Sequence, residues 1–360
     1  MKKKARVAIV GTNGVPAKYG GYETLAENLV INLSTEFDFI IYCSKKQKNK
    51  LSNYKGAKLI NIPLNANGAI GLIYDTISLF HAWFFADVIL YLGPGIGALL
   101  WFNKLFRKKV ITNHGGLNEW EREKLSKGKK KYAFINHKYA AKFSNINIVD
   151  NNILKESILN NFQTDSIVIR YGGDHVSKVE ISNDLLNQFP FIKDKYYISV
   201  SRAEVDNNIH VLLEAFVEMP TRKLVIISNW EISDYGKILK KKYSEQQNIY
   251  LIDAIYDPCK LNALRSNAMI YIHSHAKCGT SPSLVEAINL SLPIISFDVP
   301  QNRETLKRNN YFFQNKQELI TLINSLTNKE CENIRNDSNN LIQHYTWGII
   351  AHEYAEIFNS

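Results

Sequence analysis

Cysteine is scarce in this 360-residue chain. The four present, Cys43, Cys259, Cys278 and Cys331, make no CxxC pair, and no paired histidines stand out beside them. That pattern excludes a disulfide framework, fits a reducing compartment and predicts no structural zinc. Long apolar runs are lacking too. Val88–Phe102 is 15 residues without a charge, short of the ~20 a spanning helix needs. Gly93-Pro94-Gly95 breaks it, so a buried strand, a turn and a following helix fit it better. Only four apolar residues, Val7–Val10, separate the basic start from Gly11, so no secretory leader is expected. The chain contains no Asp-x-Asp pair, no GxxxxGK[ST] loop and no GxSxG elbow. A metal-clamped diphosphate, a P-loop and an α/β-hydrolase nucleophile are therefore not expected. No carboxylate pair presents itself as a glycosidase dyad.

Charge is present but uneven. Residues 1–172 hold 25 Lys+Arg against 12 Asp+Glu, and the remainder holds 19 against 22. The excess lies in Lys2–Arg6, Lys45–Lys58, Lys104–Lys109 and Arg122–Lys142. Each run alone fits a solvated face; together they suggest an anionic partner for the first half. Trp101–Lys109 mixes aromatics with cations, as a segment on an anionic bilayer would. Nucleic acid is not expected, because the Lys runs are scattered and no stacking platform is evident.

Short apolar runs alternate with helical patterns. Val7–Val10, Phe39–Tyr42, Lys58–Ile62, Val88–Leu92, Lys109–Thr112 and Ile146–Val149 read as buried strands. Thr24–Leu33 reads as a helix opening on a Thr24-x-x-Glu27 capping box. Near Ile167–Gly173 the pattern restarts. Tyr196–Val200, Lys223–Ile227, Ile249–Ile252, Met269–His273 and Pro293–Ser296 form a second strand set. This is an α/β chain with two Rossmann-like parallel-sheet halves, residues 1–172 and 173–345. A final helix, about Trp347–Phe358, has Ile349, Ile350, Tyr354 and Ile357 spaced for one apolar face.

In such sheets ligands bind beyond the carboxyl ends of the strands. Four strand-to-helix loops there carry candidate chemistry. Gly11–Thr24, GTNGVPAKYGGYET, is pliable but is not a GxGxxG fingerprint; Gly20-Gly21 would let backbone approach a phosphate or sugar. Asn113–Trp120 carries His114, able to touch a hydroxyl or orient a nucleophile. Ser199-Val-Ser-Arg202 places an Arg where it could fork onto a diphosphate. Cys278–Ser283, CGTSPS, runs into a helix start at Ser281-Pro282, which leaves N–H groups for an anion. Glu286 then either meets a ligand or caps its own helix in a Ser283-x-x-Glu286 box.

Together these segments resemble GT-B glycosyltransferases of family 4. GTNGVPAKYGGYET, Glu204–His210 (EVDNNIH) and Gly279–Ala287 (GTSPSLVEA) are more similar to bacterial rhamnosyltransferases that build capsules, O-antigens and cell-wall polysaccharides. The resemblance covers nearly the whole chain and implies a GT-B fold whose two domains face a central cleft, with helix 346–360 packing back on the first. It implies a retaining transfer, metal-independent and without cofactor, with the donor phosphate as base. Donor contacts would come from Gly20, Gly21, Arg202, Gly279, Thr280, Ser281, the amides of Ser283 and Leu284, and Glu286 on ribose. His114, Arg202 and Glu286 would be catalytic, and Tyr19, Tyr22, Glu23, Glu119 and Trp120 would line the acceptor side. The chain departs from the family in three places: Cys278 stands for the first Glu of Glu-x7-Glu, Asn208 for a Lys, and His114-Gly115 for Asp-Gly.

The expected activity is transfer of a sugar, L-rhamnose from dTDP-β-L-rhamnose, to a polyprenyl-diphosphate-linked saccharide. The enzyme would be cytoplasmic and peripheral on the inner face of the plasma membrane. The alternatives are another hexosyltransferase using a UDP- or GDP-sugar, a GT-B sugar-nucleotide epimerase, and a non-catalytic sugar-nucleotide binder.

Overall fold

The computed structural model describes the chain except residues 1–2, 19, 48–50, 116–117 and 123–124, and the side chain of Glu119. It divides into two compact units, Met1–Tyr171 with Trp347–Ser360, and Gly172–Thr346.

The first unit is built on an eight-stranded sheet. Its strands are β1 (Arg6–Val10), β2 (Asp38–Cys43), β3 (Asn53–Tyr54), β4 (Ala57–Asn61), β5 (Val88–Leu92), β6 (Lys109–Asn113), β7 (Ile146–Val149) and β8 (Ile167–Val168), in the order β3-β4-β2-β1-β5-β6-β7-β8. All pairings are parallel except the β3–β4 hairpin. Val7–Val10 and Val88–Leu92 are buried throughout, as strands covered on both faces must be.

The second unit has six parallel strands, β9 (Tyr196–Val200), β10 (Lys223–Ser228), β11 (Ile249–Asp253), β12 (Ile270–His273), β13 (Ile294–Phe297) and β14 (Phe312–Phe313). Their order, β11-β10-β9-β12-β13-β14, is the doubly wound arrangement that reverses direction between its first and fourth strands. The switch point lies between β9 and β12, which pair directly. In the first unit the corresponding switch lies between β1 and β5.

Four features differ from the sequence expectation. The restart at Ile167 is instead the last strand of the first sheet, paired with β7 through Ile148 and Ile167. The first helix spans Gly21–Leu33 rather than starting at Thr24, because Gly20 takes φ +114° at its N-cap, a conformation open to glycine. Its capping box does not form: Thr24 Oγ1 donates back to the Gly20 carbonyl at 3.1 Å, and Glu27 accepts from Tyr54 Oη. Ile349 is 47% exposed; the buried stripe of the final helix, Trp347–Asn359, is Trp347, Ile350, Ala351, Tyr354, Ala355, Ile357 and Phe358, so the other three expected positions do face the core.

That final helix packs on helix Gly21–Leu33, and Phe358 lies edge-on to Phe37 at 5.4 Å. Tyr354 Oη accepts a buried hydrogen bond from Asn113 Nδ2 at 2.8 Å. Val88–Phe102 forms β5, a glycine turn and a 3-10 turn at Gly97–Phe102. Among the described residues no helix is long and apolar enough to cross a membrane.

Tyr354→Phe strands the Asn113 amide and should cost about 1–2 kcal/mol in denaturant unfolding. Ile349→Ala on the open side should stay within about 0.5 kcal/mol.

Candidate functional site

Two loops meet at the switch point of the second unit. One follows β9 and carries Arg202; the other follows β12 and runs from Ser274 to Ser281. They are tied together by Ser274 Oγ donating to Asn207 O at 2.6 Å, Ala276 N to Asp206 O at 2.9 Å and Asn208 Nδ2 to Ser274 O at 3.2 Å. Asn208 sits at φ +49°, a conformation that asparagine tolerates better than lysine. It therefore serves as a backbone tie where the family resemblance places a cation. Arg202 is exposed, and its guanidinium has no partner among the described residues.

Helix Pro282–Asn289 begins beside them, with Ser281 at the N-cap and Pro282 at its first position. The Ser281 side chain does not cap the helix; its Oγ lies 3.2 Å from Ser283 Oγ and 3.3 Å from His275 Nδ1. The Ser283 N–H has no partner among the described residues, so it is available to an anion together with the positive end of the helix dipole. The pair of amides expected there reduces to one. Leu284 N–H already turns onto Ser281 O at 3.0 Å, and the Leu284 side chain is fully buried. Gly279, Thr280 and Ser281 are all buried.

Glu286 does not cap its helix. Its Oε2 lies 2.6 Å from Arg265 Nη1 and its Oε1 3.2 Å from His175 Nε2. Burial pushes its pKa up, but the Arg265 charge and His175 outweigh that and hold it below the ordinary carboxylate value. Two of its roughly four acceptor positions are thus occupied, and the rest stay open to a hydroxyl pair. Arg265, from helix Pro258–Ser266, and His175 carried no motif by which the sequence could single them out.

In the first unit several expected ligand contacts turn out to be scaffolding. Glu23 is 6% exposed and accepts from Asn13 N and Nδ2 at 2.7 and 3.0 Å. It clasps the first loop rather than facing an acceptor. His114 is 1% exposed, its Nε2 donates to Asn147 Oδ1 at 2.8 Å, and burial holds its pKa at about 4. With Nδ1 3.4 Å from His137 Nδ1, both ring nitrogens are engaged in the core, so the ring is not presented to a substrate. Trp120 packs edge-on against His137 and Phe162 at 4.9 and 5.3 Å and is likewise core. Tyr22 is half-buried and lies over Gly115, where an added Cβ would fall 1.8 Å from Tyr22 Oη. Gly20 is exposed and Gly21 half-exposed. Tyr19 and the side chain of Glu119 lie outside the described residues.

Two groups escaped the sequence reading. Asp75 is the lone charged residue of helix Ala69–Phe85, a signal that was available. It lies beside Gly95 of the loop after β5, and burial pushes its carboxyl up to about 7. His273, His275 and Cys278 converge with one ligand atom from each mutually within 4.8 Å. His273-x-His275 is a histidine pair, and the expectation that the cysteines had none beside them is corrected.

Residues 4–174 match a family model described as a domain of unknown function, and residues 184–344 match glycosyl transferases group 1. A glycosyltransferase of Methanocaldococcus jannaschii, itself described as uncharacterized, is 26% identical over 54% of this chain and 50% of its own length. The chain thus spans about half the length of that relative. Sucrose-phosphate synthase from Thermosynechococcus elongatus superposes with TM-score 0.78 over 99% of this chain and 98% of its own, at 14% identity. Anabaena HepE in complex with UDP-glucose gives 0.76 over 99% of both chains, at 12% identity. The fold is GT-B, two parallel-sheet α/β units, and the match to the glycosyl transferases group 1 model falls within the second of them.

A raised carboxyl pKa means the folded state holds a proton that the unfolded chain releases near pH 4, so Asp75 lowers stability as pH rises toward 7. Relative to wild type, Asp75→Asn should gain stability between pH 5 and pH 8, read by denaturant unfolding at each pH. A constant difference across that range would contradict a buried, neutral Asp75.

Proposed function

We propose that the protein is a retaining glycosyltransferase. It moves L-rhamnose from dTDP-β-L-rhamnose to a polyprenyl-diphosphate-linked saccharide during assembly of a bacterial surface polysaccharide. The observation that carries this reading is the switch point of the second unit. Arg202, unpartnered among the described residues, lies on the loop after β9, and the open Ser283 N–H and acceptor-rich Glu286 lie on the helix that follows the neighbouring β12 loop. A nucleotide-sugar needs that combination: cation and amide for the diphosphate, carboxylate for the ribose hydroxyls. The group 1 domain over residues 184–344 supports the same class. The rhamnosyl donor rests on the similarity of GTNGVPAKYGGYET, EVDNNIH and GTSPSLVEA to rhamnosyltransferases. No Asp-x-Asp pair is present to clamp the diphosphate through a metal, so Arg202 and the helix end take that part.

The acceptor reading is supported by the surface of the first unit. Helix Ala69–Phe85 exposes Ile70, Ile73, Ile77, Phe80 and Phe84, spaced three and four apart on one stripe without a charge. Phe84 meets Phe106 edge-on at 5.1 Å, which leads the stripe to exposed Leu105. Lys104, Arg107, Lys108 and Lys142 line a neighbouring groove with Leu100 and Phe143. Apolar side chains flanked by cations suit the cytoplasmic face of an anionic bilayer, where a lipid-linked acceptor resides.

A donor panel with a lipid-linked acceptor tests the chemistry. Turnover with dTDP-rhamnose is expected; strong turnover with UDP-glucose and none with dTDP-rhamnose would replace the donor. Conversion of donor without acceptor would favour the epimerase. Arg202→Ala and Glu286→Ala should each lower kcat/KM about 10²-fold or more; Glu286→Ala also leaves Arg265 without its counter-charge and should lose stability in denaturant unfolding, whereas Arg202→Ala should not. Normal turnover of Glu286→Ala would reduce that residue to an ion-pair partner of Arg265. In vesicle flotation, Phe80→Ser/Phe84→Ser should weaken binding to anionic vesicles about tenfold, and equal binding to neutral vesicles would sink the bilayer assignment.

A further inference from the structure

His273, His275 and Cys278 form a cluster that the donor reading does not use. His273 closes strand β12, is 1% exposed, and neither of its ring nitrogens has a hydrogen-bond partner among the described residues. A buried imidazole left so costs free energy unless a further group bonds to it. Its ring lies 4.4 Å from that of His275, centroid to centroid. His275 is oriented through Nδ1, 3.3 Å from Ser281 Oγ, which turns its Nε2 toward other partners. Cys278 adds a half-buried thiol, and one ligand atom from each residue lies within 4.8 Å of the other two.

We infer that His273, His275 and Cys278 form a binding site for a borderline divalent cation of the zinc class. Two imidazoles and one thiolate are a donor set that zinc prefers over magnesium or calcium, which take oxygen. Zn–N bonds of about 2.0 Å and Zn–S bonds of about 2.3 Å at tetrahedral angles place ligand atoms about 3.3–3.6 Å apart. The cluster therefore needs only a contraction on the order of 1 Å. Binding replaces the Cys278 S–H proton, which passes to solvent, with an S–metal bond. The Ser281 contact acts as the outer hydrogen bond that fixes a ligating histidine. Three protein ligands leave a fourth position for water or another small ligand. The site would pin the loop between β12 and helix Pro282–Asn289 and take no part in holding the donor diphosphate, so it stands or falls independently of the donor assignment.

Tag-free protein titrated with Zn2+ by calorimetry, and with Co2+ by absorption, tests the assignment. One equivalent of Zn2+ should bind, and Co2+ should give a thiolate-to-cobalt charge-transfer band with tetrahedral d–d intensity. Cys278→Ser should abolish that band and weaken Zn2+ binding at least about tenfold. His275→Gln should weaken it similarly, and Cys259→Ser, at the exposed cysteine, should change neither. Uptake well below one equivalent by the wild type, or unchanged affinity and band in Cys278→Ser, would overturn the site. Protection of Cys278 from alkylation by dTDP with no metal uptake would also overturn it and assign the cluster to the nucleotide-sugar instead.

Discussion

Glu286 is a carboxylate that must be neutralised where it stands, and the carboxyl-end face of the second unit is arranged around that requirement. Removing such a charge from water costs several kcal/mol, recovered only by a close, well-oriented counter-charge. Arg265 supplies it at 2.6 Å while itself only 5% exposed, and His175 adds a second contact from the segment that opens the unit. Each partner alone would be a stranded buried charge. The pair consequently locks helix Pro282–Asn289 to helix Pro258–Ser266, and the open N-terminal end of helix Pro282–Asn289 is held in one place. A ligand arriving there finds the carboxylate already oriented, so little ordering is left to offset its binding.

In the first unit the corresponding constraint is steric. A Cβ on Gly11 would fall 2.0 Å from the Leu92 carbonyl, and one on Gly115 1.8 Å from Tyr22 Oη. Glycine at these points lets the loops after β1, β5 and β6 close on one another, and Glu23 fastens the arrangement through Asn13. This explains why polar and aromatic residues near the motifs proved to be internal. His114, Glu23 and Trp120 stabilise the loops, and among the described candidates here Gly20, Gly21 and part of Tyr22 remain at the surface.

The strands were legible because a strand buried on both faces writes itself as a run of apolar residues. Val88–Leu92, Ile146–Val149 and Tyr196–Val200 have the bounds that pattern implies. Asn53–Tyr54, Ile167–Val168 and Phe312–Phe313 are two residues each, too short to show any period. The start of the first helix was misread because a Thr-x-x-Glu signal competed with a glycine whose backbone angle no sequence pattern reveals. For the site, Arg202 and Glu286 stood out because each follows a strand at a fixed place in a repeating unit. Arg265 and His175 did not, since their partnership with Glu286 joins segments far apart in the chain. Asp75 could have been found: a single acid in an otherwise uncharged helix has to be accounted for.

Cys278 lies on the loop that leads into the Glu286 helix. Family resemblance places a glutamate there, to read hydroxyls of the donor sugar. In this chain the neighbouring groups are His273 and His275, and burial, reinforced by His275, drives the pKa of His273 well below its ordinary value. A neutral imidazole cannot serve as counter-charge, and Arg265 is already committed to Glu286. A carboxylate at 278 would therefore find neither of these groups as its counter-charge, at a cost that a strong sugar contact would have to offset. A 6-deoxy sugar has one hydroxyl fewer to repay that cost. A thiol beside His273 avoids the penalty, and a nitrogen-and-sulfur donor set whose thiol ionises on binding is what a borderline metal ion selects.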